Sequence, residues 1–357
     1  MAVDLDNAEE LGGIDPSGML SVVERFPAQV REALEIGSNA VDLPSAGGIT
    51  SIVVLGMGGS GISGDVVASL LYGSLPLPVM TVKGYSLPAL VGPGSLVFAV
   101  SYSGNTEETL HCLEEALGRG ARAIAVTSGG RLAEVAGENG LAVFRIPPGL
   151  QPRASLGYLV VPLVAALERM GLVDGMVRRF GDAVGMLEER SKEYGAGTPL
   201  ANNPTKRLAK DLLGYMPVVY GSEGTVAVAA KRWKAQFNEM AKVPSFDNWF
   251  PELNHNETVG WKNLEDICSR CHLVVLREPR EHARVARRIE ITMDLLGDTL
   301  GHITQVCARG SNRVERLLDL VYFGDFTSVY LALALEEDPT PVTRIEELKK
   351  RLAEDPR

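Results

Sequence analysis

Two stretches constrain what this chain can fold into more than any others: Val53-Val-Leu-Gly-Met-Gly-Gly-Ser-Gly-Ile-Ser-Gly-Asp65 and Phe98-Ala-Val-Ser-Tyr-Ser-Gly-Asn-Thr-Glu-Glu-Thr109. Each is an apolar run that breaks into glycine and hydroxyl residues and then opens a helical pattern. An apolar strand feeding such a turn and a helix begins a βαβ unit, in which strands lie parallel and the turns gather at one sheet edge. Two of these turns in one sheet bring backbone N–H groups and Ser and Thr hydroxyls to a shared point. The helix N-termini add their partial positive charge there. No lysine follows the glycines, whereas a nucleotide-binding P-loop requires one. The ligand implied is the phosphate group of a small molecule, a sugar foremost.

The surrounding pattern agrees with alternating β and α elements. Strands are predicted at 51–55, 78–82, 96–100, 123–126 and 143–146, with helices at 61–71, 107–119 and 131–138 between them. Residues 18–38 read as one or two helices interrupted near Pro27. The proline-rich loop 147–155 breaks the alternation and feeds an apolar helix, 156–170, followed by two linking helices within 175–215. A second α/β unit opens at Met216-Pro-Val-Val-Tyr-Gly-Ser222 and runs into a helix over 226–242. Strands at 273–276 and 302–306 and helices at 280–297 and 312–335 follow. The second half shares the plan of the first without its hydroxyl-rich turns, as in a duplicated domain with altered loops. The expected organisation is a helical segment (1–40), a first domain (41–172), linking helices (173–200) and a second domain (201–357).

Bulk properties limit the partners. A chain of 357 residues is too long for one comfortable core. A net charge of −10 argues against nucleic acid or an anionic membrane as the main partner. No apolar run is expected to reach the roughly 20 residues of a membrane span. Met1 is followed by acidic and polar residues rather than a signal peptide, so a cytoplasmic protein with reduced thiols is expected. Cys268-Ser-Arg-Cys271 is a single CxxC without a second pair, which reads as two small half-buried residues ahead of a strand rather than a zinc site.

Gly56, Gly58 and Gly61 fit the GxGxxG spacing of dinucleotide sites. The next strand, however, ends in Lys83 where an acidic residue is expected. In Ser101-Tyr-Ser-Gly-Asn-Thr106, capping of the following helix accounts for one hydroxyl and leaves the others to bind.

Gly59-Ser60 after the first strand and Ser101-Tyr-Ser-Gly-Asn-Thr106 after a later one resemble the sugar isomerase (SIS) domain. Pro152-Arg-Ala-Ser155, Phe237-Asn-Glu-Met-Ala-Lys-Val-Pro244, Pro251-Glu-Leu-Asn-His-Asn-Glu257, Gly260-Trp261, Gly324-Asp325 and Asp338-Pro-Thr-Pro341 narrow the likeness. In that order, over about residues 20–352, the chain resembles the bifunctional phosphoglucose/phosphomannose isomerase family. The resemblance implies an α/β fold of two SIS domains, each a parallel sheet flanked by helices. It further implies an aldose–ketose isomerase of hexose 6-phosphates in carbohydrate metabolism.

Such a reaction moves a proton between C1 and C2 through a cis-enediol. It needs a base, a cation near the enediolate oxygens and a group that opens the sugar ring, but no metal or redox cofactor. Carried over residue by residue, Glu239 becomes the base, Arg153 the cation and His255 the ring opener. Gly59, Ser60, Ser101, Ser103 and Thr106 hold the phosphate. Thr327 is expected near a sugar hydroxyl, in the room that lets both C2 epimers react. In the resembling family the histidine reaches the other subunit's site, implying a homodimer. Some members carry a lysine several residues after the threonine matching Thr327; here none occurs before Lys349. Two alternatives stay open: a non-catalytic sugar-phosphate-binding SIS protein, which would not need Glu239 and His255 together, and an isomerase of another sugar phosphate.

Overall fold

The computed structural model describes residues 3–39 and 42–354. Five strands form the first sheet: β1 (Ser51–Leu55), β2 (Val79–Val82), β3 (Ser95–Val100), β4 (Arg122–Thr127) and β5 (Ala142–Arg145). They are parallel, in the order β2-β1-β3-β4-β5, with Val53 opposite Val97 in the β1–β3 register. Four strands form the second: β6 (Met216–Ser222), β7 (Phe246–Phe250), β8 (Cys271–Arg277) and β9 (His302–Cys307), parallel in the order β7-β6-β8-β9. The central strands β1 and β3 are buried throughout because helices cover both faces, which is why they read as unbroken apolar runs. In the first sheet the chain goes to one side of β1 for β2 and to the other for β3. The carboxyl ends of β1 and β3 therefore flank a topological switch point, where open α/β sheets bind ligands. Both hydroxyl-rich turns leave from there.

Several expected boundaries move. The helix after β1 starts at Gly58, three residues ahead of the expected 61, so the glycine turn is itself its first turn. The break near Pro27 falls at Arg25, between Met19–Glu24 and Phe26–Ser38; Pro27 sits in the first turn of the second helix, where its missing N–H costs nothing. The helix expected over 226–242 spans Thr225–Glu239, because Lys242 takes φ +56 and turns the chain back. Strand β7 was not expected, since Phe-Asp-Asn-Trp-Phe lacks alternation and lies at a sheet edge. Helices Ala8–Ile14 and Thr343–Glu354 are further additions.

A continuous apolar core joins the two sheets. It takes Val30 and Ala33 from Phe26–Ser38, Leu159 and Leu163 from Leu156–Arg169, and Trp233 and Phe237 from Thr225–Glu239. Helix Arg313–Ala334 runs through its centre with Tyr322, Phe326 and Tyr330. By length and composition this helix could cross a membrane, with a mean hydropathy of 1.4, contrary to the expectation that no segment would qualify. Its apolar window is 94% buried inside the protein, so its hydrophobic surface is taken up by the core.

Candidate active site

The first turn brings Gly59 and Ser60 to the start of helix Gly58–Leu71. Ser60 is buried, and its Oγ accepts from the Tyr102 amide at 3.2 Å, linking the first turn to the second. In the second turn the Ser101 and Thr106 hydroxyls pair at 2.8 Å, and the Gly104 amide donates to Ser101 Oγ at 3.1 Å. Ser103 is exposed, and its Oγ accepts from the Asn105 amide at 3.3 Å. Thr106 stands at the N-cap of helix Glu107–Gly118, yet its hydroxyl makes no capping bond. The hydroxyls therefore gather across the turn, above a helix N-terminus, as an anion cradle requires. Tyr102, between them, donates its hydroxyl to Pro147 O and accepts from the Leu150 amide, each at 2.8 Å, and so holds the proline loop against the turn.

That loop ends in the 3-10 turn Pro152–Ala154, which lies directly on the first hydroxyl turn: a Cβ on Gly59 would meet the Pro152 carbonyl at 2.7 Å. Arg153 is therefore no surface residue; it is 2% exposed. Its Nη2 donates to Pro339 O at 2.9 Å and Thr340 O at 2.5 Å, and Nε lies 3.3 Å from Met240 Sδ. Nη1 is left to face Glu239, 3.7 Å from Oε2. Burial pushes the Arg153 pKa down, while Glu239 and Asp338 oppose that shift. Glu239, the last residue of helix Thr225–Glu239, has a half-buried side chain open to solvent on one side. A carboxylate and a guanidinium thus meet beside the cradle, although they come from opposite halves of the sequence.

A layer beneath fixes this pair. The Arg232 guanidinium makes a two-pronged pair with Asp325, Nε to Oδ1 at 3.1 Å and Nη2 to Oδ2 at 2.7 Å, and Nη2 also donates to Arg153 O at 2.9 Å. Gln236 Nε2 donates to Asp325 Oδ1 at 2.7 Å. The spacing of Arg232, Gln236 and Glu239 along one helix put this row within reach of the sequence, which otherwise signalled only Gly324-Asp325.

Two expected residues do not join. Thr327 is fully buried in helix Arg313–Ala334, and its hydroxyl donates to Phe323 O at 2.8 Å. A threonine inside a helix can satisfy its donor on the preceding turn, which leaves the oxygen as an acceptor only. His255 closes the 3-10 turn Glu252–His255 after β7; it is exposed and forms no hydrogen bond or ion pair among the described residues. Its segment is nevertheless anchored. Glu257 accepts from the Tyr220 hydroxyl and from Asn248 Nδ2, and Trp261 Nε1 donates to Tyr220 Oη at 3.0 Å. The thiols of Cys268 and Cys271 are buried and donate to Asn263 O and Ile267 O.

Comparison with known proteins fits this geometry. Residues 201–352 match the family described as bacterial phospho-glucose isomerase C-terminal SIS domain, and residues 49–139 match the SIS domain. A bifunctional phosphoglucose/phosphomannose isomerase from Caldicellulosiruptor bescii is 39% identical over 336 residues, covering 94% of this chain and 99% of the relative. One of the same name from Aquifex aeolicus is 37% identical, covering 84% of this chain and 90% of the relative. A D-glucosamine-6-phosphate 4-epimerase from Sulfolobus acidocaldarius is 34% identical over 67% of this chain and 71% of the relative. A solved glucose-6-phosphate isomerase like protein from Thermus thermophilus shares the fold at TM-score 0.60 and 22% identity, covering 94% of this chain and 97% of that one. Together the order of its motifs, its two parallel sheets and these relatives place the chain in the bifunctional phosphoglucose/phosphomannose isomerase family.

Proposed function

We propose that this protein interconverts glucose 6-phosphate and mannose 6-phosphate with fructose 6-phosphate. The observation that carries the reading is the Arg153–Glu239 pair, at 3.7 Å, set against the hydroxyl cradle. The cradle of Ser60, Ser101, Ser103, Thr106 and the Gly59 turn holds the phosphate. Glu239 takes the C2 proton of the open-chain aldose. The electron pair passes into the C1–C2 bond and onto O1, giving the enediolate. Arg153 faces that developing charge, in a buried setting where a fixed cation is worth more than in water. Glu239 returns the proton to C1, the O2–H proton passes to O1, and the O2 electron pair closes the C2 ketone. C2 is planar in the enediol, so either epimer gives the same intermediate, and rotation about C2–C3 lets one base serve both aldoses.

His255 opens the sugar ring. That it has no side-chain partner among the described residues of one chain, together with its anchored segment, favours a homodimer in which it serves the other subunit's site. A sugar-phosphate sensor would need the cradle alone, without a base and a cation paired beside it.

The test is a coupled assay of fructose 6-phosphate formation from each aldose. Turnover of both is expected; turnover of neither would sink the isomerase reading. Glu239→Gln should abolish turnover while Ser103→Ala mainly raises KM. Mixed dimers of Glu239→Gln and His255→Gln chains should regain activity; none regained after proven subunit exchange argues that each site is built within one chain.

A further inference from the structure

We propose that Lys242 is a positioning residue for this reaction: it clamps the Asp338–Thr340 segment across the end of the helix that carries Glu239, and so holds the carboxylate against Arg153. The inference rests on Glu239 being the base.

Lys242 lies three residues beyond Glu239 with φ +56, in the left-handed region that an L side chain enters only at a cost. That turn folds its side chain back. Nζ donates to Glu239 O at 2.8 Å, Met240 O at 3.1 Å and Asp338 O at 3.1 Å, which uses all three of its donors. The first two acceptors are carbonyls that a helix end leaves without an intrahelical partner. The third belongs to the segment after helix Arg313–Ala334. Arg153 takes the next two carbonyls of that segment, Pro339 and Thr340. Two cations drawn from positions 153 and 242 thus grip three successive carbonyls, with Glu239 between them.

The charged groups around the ammonium are Arg153, Glu239, Glu337 and Asp338; burial, with Arg153 close by, lowers the lysine pKa. A plain helix ending would favour glycine or asparagine at this left-handed position. Lysine bears the backbone strain, and the contacts of its head group supply the compensation.

Glycine separates backbone from head group. Lys242→Gly removes the strain together with the contacts that compensate it, so its unfolding temperature should stay close to that of the wild type. Its kcat should nevertheless fall about tenfold or more, because a misplaced catalytic group costs rate out of proportion to the displacement. KM for hexose 6-phosphate should stay within about twofold, since the phosphate cradle is untouched. Lys242→Met, which keeps the stem and the backbone but removes the donors, should show the same split and decides the matter if the glycine variant does not fold. Wild-type kcat in the two variants overturns the proposal, as does a loss carried by KM with kcat unchanged. Absence of turnover in the wild type is a different result, and it removes the isomerase reading instead.

Discussion

A methyl group at Gly59 would lie 2.7 Å from the Pro152 carbonyl and 2.9 Å from the Arg153 amide. Both neighbours are backbone, so neither can rotate aside. Gly59→Ala should therefore push the first hydroxyl turn and the Arg153 turn apart, at a cost of about 1–3 kcal/mol in stability. Because the change strikes both ends of the site, thermal unfolding and steady-state kinetics should show a lower midpoint, a higher KM and a lower kcat together. Arg153 teaches the complementary lesson. Its sequence neighbourhood, two prolines and a loop, carries no sign of burial, yet it is among the best-buried cations of the protein. The carbonyls of residues 339 and 340 and the carboxylate of Glu239, all far along the chain, offset the loss of water around its guanidinium.

At the scale of elements, the segment carrying His255 is held by groups on two neighbouring strands. Tyr220 on β6 and Asn248 on β7 both donate to Glu257, two residues beyond the histidine. Tyr220→Phe removes the hydroxyl that also accepts from Trp261, and should loosen residues 252–262 without opening the core. We expect a lower rate on the ring-closed sugar, seen as reduced kcat, with KM little changed. A second element carries a pH dependence. His272, at the start of β8, is 1% exposed, and its ring nitrogens contact Asp211 O at 3.2 Å and Thr304 Oγ1 at 2.8 Å. Burial lowers its pKa below the ordinary 6.5. The unfolded chain then binds the proton first, so this residue's share of stability is present above pH 6.5 and is lost as pH falls toward the folded value. Denaturant midpoints measured from pH 7 downward should drop, and His272→Gln should flatten that part of the curve.

Across the whole molecule the Arg232–Asp325 pair ties helix Thr225–Glu239 to the central helix and, through Arg153 O, to the first sheet's loops. Both side chains are almost fully buried. Removing one charge strands the other, which typically costs on the order of 3–5 kcal/mol. Asp325→Ala should accordingly lower the urea midpoint sharply and lower kcat in whatever fraction stays folded, since Arg153 loses its support. Replacing both Arg232 and Asp325 by apolar residues should recover stability but not activity, which separates the two effects.

Much of this was legible in the sequence for a local reason. Strand β1, the glycine turn and the hydroxyl run of residues 101–106 are dictated within a short stretch of chain by apolar runs, small residues and helix starts, so the α/β plan and the position of both turns at one sheet edge could be read directly. The motif order carried the family and pointed to Glu239, Arg153 and His255. Tertiary structure decided the rest, because it depends on groups brought together from distant positions. It buried Arg153 against residues 339–340, closed Thr327 into a helix, ended the Glu239 helix at a left-handed lysine and left His255 without a partner among the described residues of its own chain. Periodicity and turn chemistry act over a few residues, whereas the meeting of a carboxylate at 239 and a guanidinium at 153 is set by the packing of two sheets around one core.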